Sequence, residues 1–275
     1  MKYLFLSGGL GNQMFEYAFF LSCKERGMRI KLNRDLYEIN RMHDGYLLDH
    51  VFGVPKSDLA ISCKLSVLAT RILRRFQPLG LVYKEKALTF CNDIYTTKKV
   101  FFDGCFIEPR YFEGIEDQIR QSFVFRGIDS HNINLGSQML SENSVSLHVR
   151  RGDYLTNPIY CVCDEMYYKL AIKYIKSRVS NPLFYVFSDD TEWCNHFMES
   201  LDVNYSIITQ NKGENSYKDM YLMSHCRHNI IANSTFSWWG AWLNDNKEKI
   251  VISPNKWTNN IRMKDVPLNW LLLEV

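Results

Sequence analysis

Apolar positions along the chain follow two rhythms, and the switches between them mark out its elements. Tyr3 to Leu6 is a continuous apolar run closed by Gly8, Gly9 and Gly11, which predicts a short buried strand over residues 2–7. Phe15, Ala18, Phe19 and Ser22 then recur at helical spacing, predicting an amphipathic helix over 12–26 that Gly27 ends. With a second strand expected over 29–32, the chain opens as a strand, Gly-rich loop, helix, strand unit. Helices are expected over 59–76 and 112–123, and a strand over 100–107. In the second half, strands over 145–149, 183–187, 205–209, 229–232 and 250–252 alternate with helices over 166–179, 190–198, 216–224 and 236–243. Such alternation belongs to α/β units on a parallel sheet.

Residues 127–136 collect Gly, Asp, Ser, Asn and His with no apolar period, and read as an inter-domain linker or the approach to one. The expected architecture is therefore α/β, with two Rossmann-like halves, 1–135 and 136–275.

Composition changes this picture little. Hydrophobic residues at 46% and charged residues at 23% are the ordinary balance of a globular protein, and a 275-residue chain needs no disulfide staples. The net charge of +3 and pI near 8.3 are too mild to imply nucleic acid, and suit an anionic small ligand or an acidic membrane surface. The eight cysteines, at 23, 63, 91, 105, 161, 163, 194 and 226, include no CxxC pair and no zinc spacing. That scatter suits a reducing compartment. The N-terminal apolar run is too short for a signal peptide or a membrane span, so a cytoplasmic location is expected.

Four segments carry candidate chemistry. In Ser146 to Tyr154 (SLHVRRGDY), strand alternation puts Val145, Leu147 and Val149 on one face and Ser146, His148 and Arg150 on the other. Arg150, Arg151 and Asp153 then emerge at the C-terminal end of a strand, where parallel sheets bind ligands. Asp153 is expected to hold Arg151, yet two consecutive arginines exceed what one Asp neutralises, which points to an anion. In Asn229 to Leu243 (NIIANSTFSWWGAWL), Asn233, Ser234 and Thr235 sit at an expected helix start. They either cap a buried helix or, with its free N–H groups, cradle an anion. Trp238, Trp239 and Trp242 are core residues by default. Asp189 and Asp190 follow the strand of Phe184 to Asp190 (FYVFSDD). Helix capping and hydrogen bonding to guanine or ribose are equally open to them. No further carboxylates stand near enough in sequence to suggest a metal. In Ser7 to Ala18 (SGGLGNQMFEYA) there is neither a dinucleotide fingerprint nor a Walker loop, though Asn12 and Gln13 could open the helix toward a cleft.

Two further features read more plainly. His225-Cys226-Arg227-His228 sits at a helix–strand junction and answers a helix dipole rather than a metal. The stripe Lys64, Arg71, Arg74 and Arg75 reads first as a solvated helix face, with contact to anionic lipid of the inner membrane surface as the alternative.

Taken together, GGLGNQMFEYA, HVRRGDY, FSDD and NSTFSWWGAWL occur in an order that resembles the bacterial α-1,2-fucosyltransferases of glycosyltransferase family 11, and they span most of the chain. The GLGNQ opening also looks like that of protein O-fucosyltransferases. The resemblance implies a GT-B fold, two Rossmann-like domains facing a central cleft, with the acceptor on the first and the GDP-sugar on the second. It implies GDP-β-L-fucose as donor, the 2-hydroxyl of a galactose-terminated glycan in a surface polysaccharide as acceptor, inversion, and no metal or other cofactor. Carried over by residue, Arg150 binds the β-phosphate with Arg151 beside it. His148 and one of Asp189 and Asp190 contact guanosine. Ser234, Thr235 and Phe236, next to Asn233, present hydroxyls or amides to the diphosphate, and Asn12 orients the donor. The chain departs from the family pattern at Glu16, where Gln is common, and over 154–167. Asp153 is the candidate base, unless the departing phosphate or water takes the proton. Another GDP-sugar or linkage, or a non-catalytic nucleotide- or sugar-binding module, remain the rival readings.

Overall fold

The computed structural model describes residues 1–39, 44–78, 80–86, 88–263, 266–267 and 269–275. The chain forms two compact units, Met1–Gly127 and Ile128–Val275, so the division falls ahead of the expected 135/136 boundary.

In the first unit, β1 (Lys2–Phe5) leads through α1 (Leu10–Glu25) to β2 (Ile30–Asn33), as the opening pattern indicated. Short helices α2 (Asp35–Ile39) and α3 (Leu48–Phe52) follow, then α4 (Lys64–Phe76). The strands β3 (Val82–Lys84) and β4 (Phe101–Asp103) and the helix α5 (Glu116–Ser122) complete the unit. All pairings in its sheet are parallel, in the order β2-β1-β4-β3. The helix α1 is not amphipathic as expected: it is buried nearly all round, with Gln13 and Glu16 inside alongside Phe15 and Phe19. Polar residues on a helix buried on every side need internal partners, which the site description supplies. The expected helices over 59–76 and 112–123 begin later, at Lys64 and Glu116: Leu59 bridges to Leu32 instead, and Phe112 ends a short 3-10 helix.

The second unit begins with α6 (Ser130–Ser141), which corrects the linker reading of 127–136. Asp129 caps this helix by accepting from the Asn132 N–H at 3.0 Å, and it buries only Asn132, Gly136 and Met139, so no apolar period announces it. After it come β5 (Ser144–Val149), α7 (Glu165–Lys176), β6 (Leu183–Ser188), α8 (Thr191–Glu199), β7 (Asn204–Ile208), α9 (Tyr217–His225), β8 (His228–Ile230), α10 (Thr235–Leu243) and β9 (Val251–Pro254). A small antiparallel pair, β10 (Lys256–Thr258) and β11 (Ile261–Arg262), and β12 (Trp270–Leu273) close the chain. The six-stranded sheet is parallel throughout, in the order β12-β9-β8-β5-β6-β7. Counted from β5, that is the doubly wound order in which the chain runs outward one way through β6 and β7, then returns to lay β8 on the other side. The reversal opens a crevice beyond the C-terminal ends of β5 and β8.

The sheet is buried on both faces. Val145, Leu147 and Val149 of β5 join Phe184, Val186, Ile172, Ile175 and Phe197 in one core cluster. Tyr185 and Phe187 turn the other way, onto Met139, Leu222 and Met223. Burying a side chain of this size stabilises by about 1.5–3 kcal/mol, so these two layers fix β5 and β6 rigidly beneath the loops they carry.

Candidate functional site

The loops at the reversal point of the second unit are the two motif segments. Strand alternation in β5 is as expected: opposite the apolar trio, Ser146 accepts from Asn229 Nδ2 at 2.7 Å, and His148 Nδ1 lies 2.8 Å from Ser237 Oγ. Burial first, and the Arg150 charge after it, push the His148 pKa down to about 3, so the imidazole is neutral at physiological pH.

Arg150 and Arg151 leave the strand side by side. Arg150 Nη1 pairs with Asp189 at 2.9 Å and Nη2 with Asp153 at 2.7 Å. Arg151 donates from Nε to Asp190 at 3.0 Å and from its backbone N–H to Asp189 at 2.9 Å, and its guanidinium lies 4.3 Å from the Trp193 ring centroid. Two expectations are corrected here. Asp153 pairs with Arg150 rather than Arg151, and three carboxylates face the two arginines, so the anion argument from excess positive charge does not hold. Asp190 caps α8, accepting from the Trp193 N–H at 3.1 Å; that bond, with Arg151 after it, holds its pKa below the ordinary carboxylate range. Asp189 thus uses both oxygens to frame the arginines, and Asp190 uses one on Arg151 and the other on the start of α8.

Exposure decides which pairing can yield. The Arg150, Arg151, Asp189 and Asp190 side chains are 29%, 28%, 25% and 28% exposed, whereas Asp153 is 57% exposed. An exposed ion pair contributes only about 0–1 kcal/mol. Of the two pairs on Arg150, the one with Asp153 is therefore the weaker, and Asp189 holds the guanidinium in place. Gly152 permits this framing, since a Cβ there would lie 2.8 Å from Asp189 Oδ2.

The second loop is capped as its sequence suggested. Ser234 Oγ accepts from the Phe236 N–H at 3.3 Å and starts α10, with Thr235 and Phe236 half-buried in the first turn. The Phe236 ring centroid is 6.0 Å from that of His148. Trp238, Trp239 and Trp242 are buried. Asn233 corrects its assignment as a ligand residue. Its side chain is turned into the protein, donating to the Trp257 and Tyr160 carbonyls at 2.8 and 3.1 Å and accepting from the Cys163 thiol at 3.6 Å.

Three residues outside the predicted set hold the loops together. Tyr154 Oη donates to the Asn233 carbonyl at 3.0 Å, joining the β5 loop to the β8 loop, and its ring lies 5.5 Å from the Arg150 guanidinium. Tyr167 Oη donates to the Ile231 carbonyl at 2.5 Å, and Ser237 orients His148. Tyr154 and Ser237 lie within motifs visible in the sequence, but only the topology brings them to their partners.

In the first unit, the reversal point lies between β1 and β4. There Asn12 Nδ2 approaches Cys105 Sγ at 3.6 Å. Gly8, at φ +75°, makes room: a Cβ would sit 2.5 Å from Asn12 Nδ2. Gln13 does not face outward as expected. It is buried, donating to the Gly8 and Gly45 carbonyls and accepting from the Leu47 N–H. Glu16 accepts from the Ser7 N–H and hydroxyl, and burial raises its pKa well above the ordinary range. Glu85 accepts from the Phe106 N–H at 2.7 Å through one oxygen, while the other is buried without a partner. Burial raises its pKa to about 7. Among the described residues no group of three His, Cys, Asp or Glu side chains could hold a metal. His225 Nδ1 instead meets the Tyr221 carbonyl at the end of α9, and His228 Nδ1 accepts from the Ile250 N–H. All eight cysteines are free.

The family model described as Glycosyl transferase family 11 matches residues 3–273. An alpha-1,2-colitosyltransferase of Escherichia coli is 35% identical over 98% of this chain and 97% of its own length. The O-antigen biosynthesis glycosyltransferase WbnK of Escherichia coli is 31% identical over 98% and 100%. The human galactoside alpha-(1,2)-fucosyltransferase 1 is 28% identical over 48% of this chain and 40% of its own. Among solved structures, fucosyltransferase NodZ from Bradyrhizobium superposes with a TM-score of 0.52 at 13% identity, covering 87% of this chain and 91% of that one. At that identity the likeness concerns the fold, which is the two-domain GT-B type.

Proposed function

Because the chain belongs to glycosyltransferase family 11, we propose that it transfers L-fucose from GDP-β-L-fucose to the 2-hydroxyl of a terminal galactoside during surface polysaccharide synthesis in the cytoplasm. The observation that carries the reading is the Arg150 guanidinium at the C-terminal edge of the sheet. It stands beside the reversal point, anchored by Asp189 on one side and only loosely held by exposed Asp153 on the other. Two relatives support the sugar and the linkage: the human α-(1,2)-fucosyltransferase and, for an α-1,2 linkage across the whole chain, the colitosyltransferase.

In this account the donor diphosphate replaces Asp153 on Arg150, and the first turn of α10, from Ser234 to Phe236, meets it from the other loop with its N–H groups and hydroxyls. As the sugar–oxygen bond breaks, negative charge grows on the leaving diphosphate, and a guanidinium and a helix start already in place stabilise it without a metal. Neutral His148 and Arg151 line the nucleotide side. Single displacement inverts the anomeric centre. The acceptor proton passes to water or to the departing phosphate, and Asp153 is assigned only as the Arg150 counter-ion that the diphosphate displaces. The first unit serves the acceptor, and Asn12 orients the donor sugar.

A second donor has its own support, the 35% identity to a colitosyltransferase. Colitose is fucose without its 3-hydroxyl, so the two nucleotide sugars compete for one geometry. The test is transfer to lactose in EDTA with GDP-fucose, GDP-colitose and GDP-mannose in parallel, the product linkage being read by NMR. An α-1,2-fucosylated product at the highest kcat/KM supports the proposal. Preference for GDP-colitose assigns the other sugar, and GDP binding without turnover of any donor overturns the enzymatic reading.

A further inference from the structure

The most inward positions of the helix α4 are polar, set between half-buried Val67 and Leu73: Thr70 is buried, donating to Asp35 Oδ2 and accepting from Asn33 Nδ2, both at 3.2 Å, and Arg74 pairs with buried Asp103 at 3.1 Å. Arg74 therefore leaves the basic stripe read from the sequence. The outer side is apolar, with Leu65 74%, Leu68 51%, Ile72 49% and Phe76 70% exposed, and Ile61 just ahead of the helix 90% exposed.

At roughly 100° per residue, Leu65, Leu68, Ile72 and Phe76 fall within an arc of about 80°, directly opposite Arg74. Lys64, Arg71 and Arg75 fall together along one flank of that arc, and all three are exposed. The helix contains no acidic residue. Leaving four large apolar side chains in water along one stripe has no folding benefit, since such a face normally turns inward. Nor does packing account for the basic flank, because the inward polar residues already have their partners.

We propose that α4 lies in the surface of an anionic lipid bilayer, with Ile61, Leu65, Leu68, Ile72 and Phe76 among the acyl chains and Lys64, Arg71 and Arg75 at the phosphate headgroups. Charge complementarity selects this occupant: a row of cations beside an apolar stripe matches the phosphate layer above hydrocarbon, whereas a second copy of the same face would set like charges together. The helix has 13 residues and stays in the interface; no helix among the described residues is long and apolar enough to cross a membrane. The inference is independent of the sugar-nucleotide reading, and its test does not use transfer activity.

The experiment is flotation of the full-length protein with vesicles of phosphatidylcholine alone or with about 30 mol % phosphatidylglycerol, at low and high salt. The protein is expected to float with the anionic vesicles, and salt to release it. R71Q/R75Q is expected to weaken binding roughly 25-fold, at about fivefold per basic residue. L68Q/I72Q is expected to weaken it by about tenfold or more. Both variants should keep the wild-type thermal midpoint and GDP affinity, because the substituted side chains point away from the protein body. The proposal is overturned if wild type does not prefer anionic vesicles, or if both variants bind as wild type does. It is equally overturned if light scattering shows a wild-type dimer that L68Q/I72Q converts to monomer, since a second copy then covers the face.

Discussion

Tyr154 Oη donates to the main-chain carbonyl of Asn233 across 3.0 Å, so a side chain of the β5 loop fixes the backbone just ahead of α10. The same ring lies beside the Arg150 guanidinium, at 5.5 Å. One residue thereby sets the spacing between the arginine and the helix start that together are assigned to the diphosphate.

Tyr154→Phe keeps the ring and removes the bond. A lost hydrogen bond of this kind costs about 0.5–1.5 kcal/mol, so thermal unfolding should show a midpoint only a few degrees lower. Donor KM should rise by more than stability alone explains, because the two loops are no longer tied. Steady-state kinetics on the purified variant, with GDP-fucose varied, checks this.

Asp153→Asn separates a counter-ion from a catalytic base. As the counter-ion of Arg150, Asp153 competes with the diphosphate, and its removal should leave GDP affinity equal or tighter and kcat within about tenfold of wild type. A base would show the opposite pattern, with GDP affinity unchanged and kcat reduced by roughly 10²–10⁴.

Asn233→Ala removes an amide that satisfies two carbonyls and accepts from a thiol in the interior. Buried groups left without partners cost about 1–3 kcal/mol. The variant should be clearly destabilised in denaturant titration, and any loss of activity should track that loss of loop structure rather than a lost ligand contact.

Glu85→Gln should flatten the dependence of stability on pH. The folded pKa of Glu85 is raised to about 7, so its contribution is present below the unfolded value near 4.5 and is lost as pH rises to 7. The variant should gain roughly 1–3 kcal/mol relative to wild type at pH 7.5 and little at pH 4.5. Urea titrations at the two pH values measure it. His148 acts in the other sense: its folded pKa is lowered to about 3, so its contribution is lost as pH falls below 6.5.

Much of the second unit was legible in the sequence because its strands and helices keep clean periods and short connections. The β5 motif shows why: alternation alone separates Val145, Leu147 and Val149 from His148, and the two faces are found as expected. The helix α6 was illegible because a polar helix with one Asp cap has no apolar stripe to announce it. The first unit was harder because its strands β3 and β4 have only three residues each. At the site, residue types pointed to an anion, but pairing is a property of three dimensions. Asp189 and Asp190 lie nearly forty positions from the arginines they hold, and nothing in spacing distinguished framing them from binding a nucleoside.

The central claim is that Arg150 receives the diphosphate, and titrating GDP calorimetrically into wild type and Arg150→Ala tests it most directly. The account predicts micromolar-to-millimolar binding by wild type and a loss of about 30- to 100-fold in the variant, the worth of a charge-assisted hydrogen-bond pair, with the thermal midpoint of the unliganded protein little changed. Equal GDP affinity in the two proteins would contradict it, and would leave Arg150 a purely structural partner of Asp153 and Asp189.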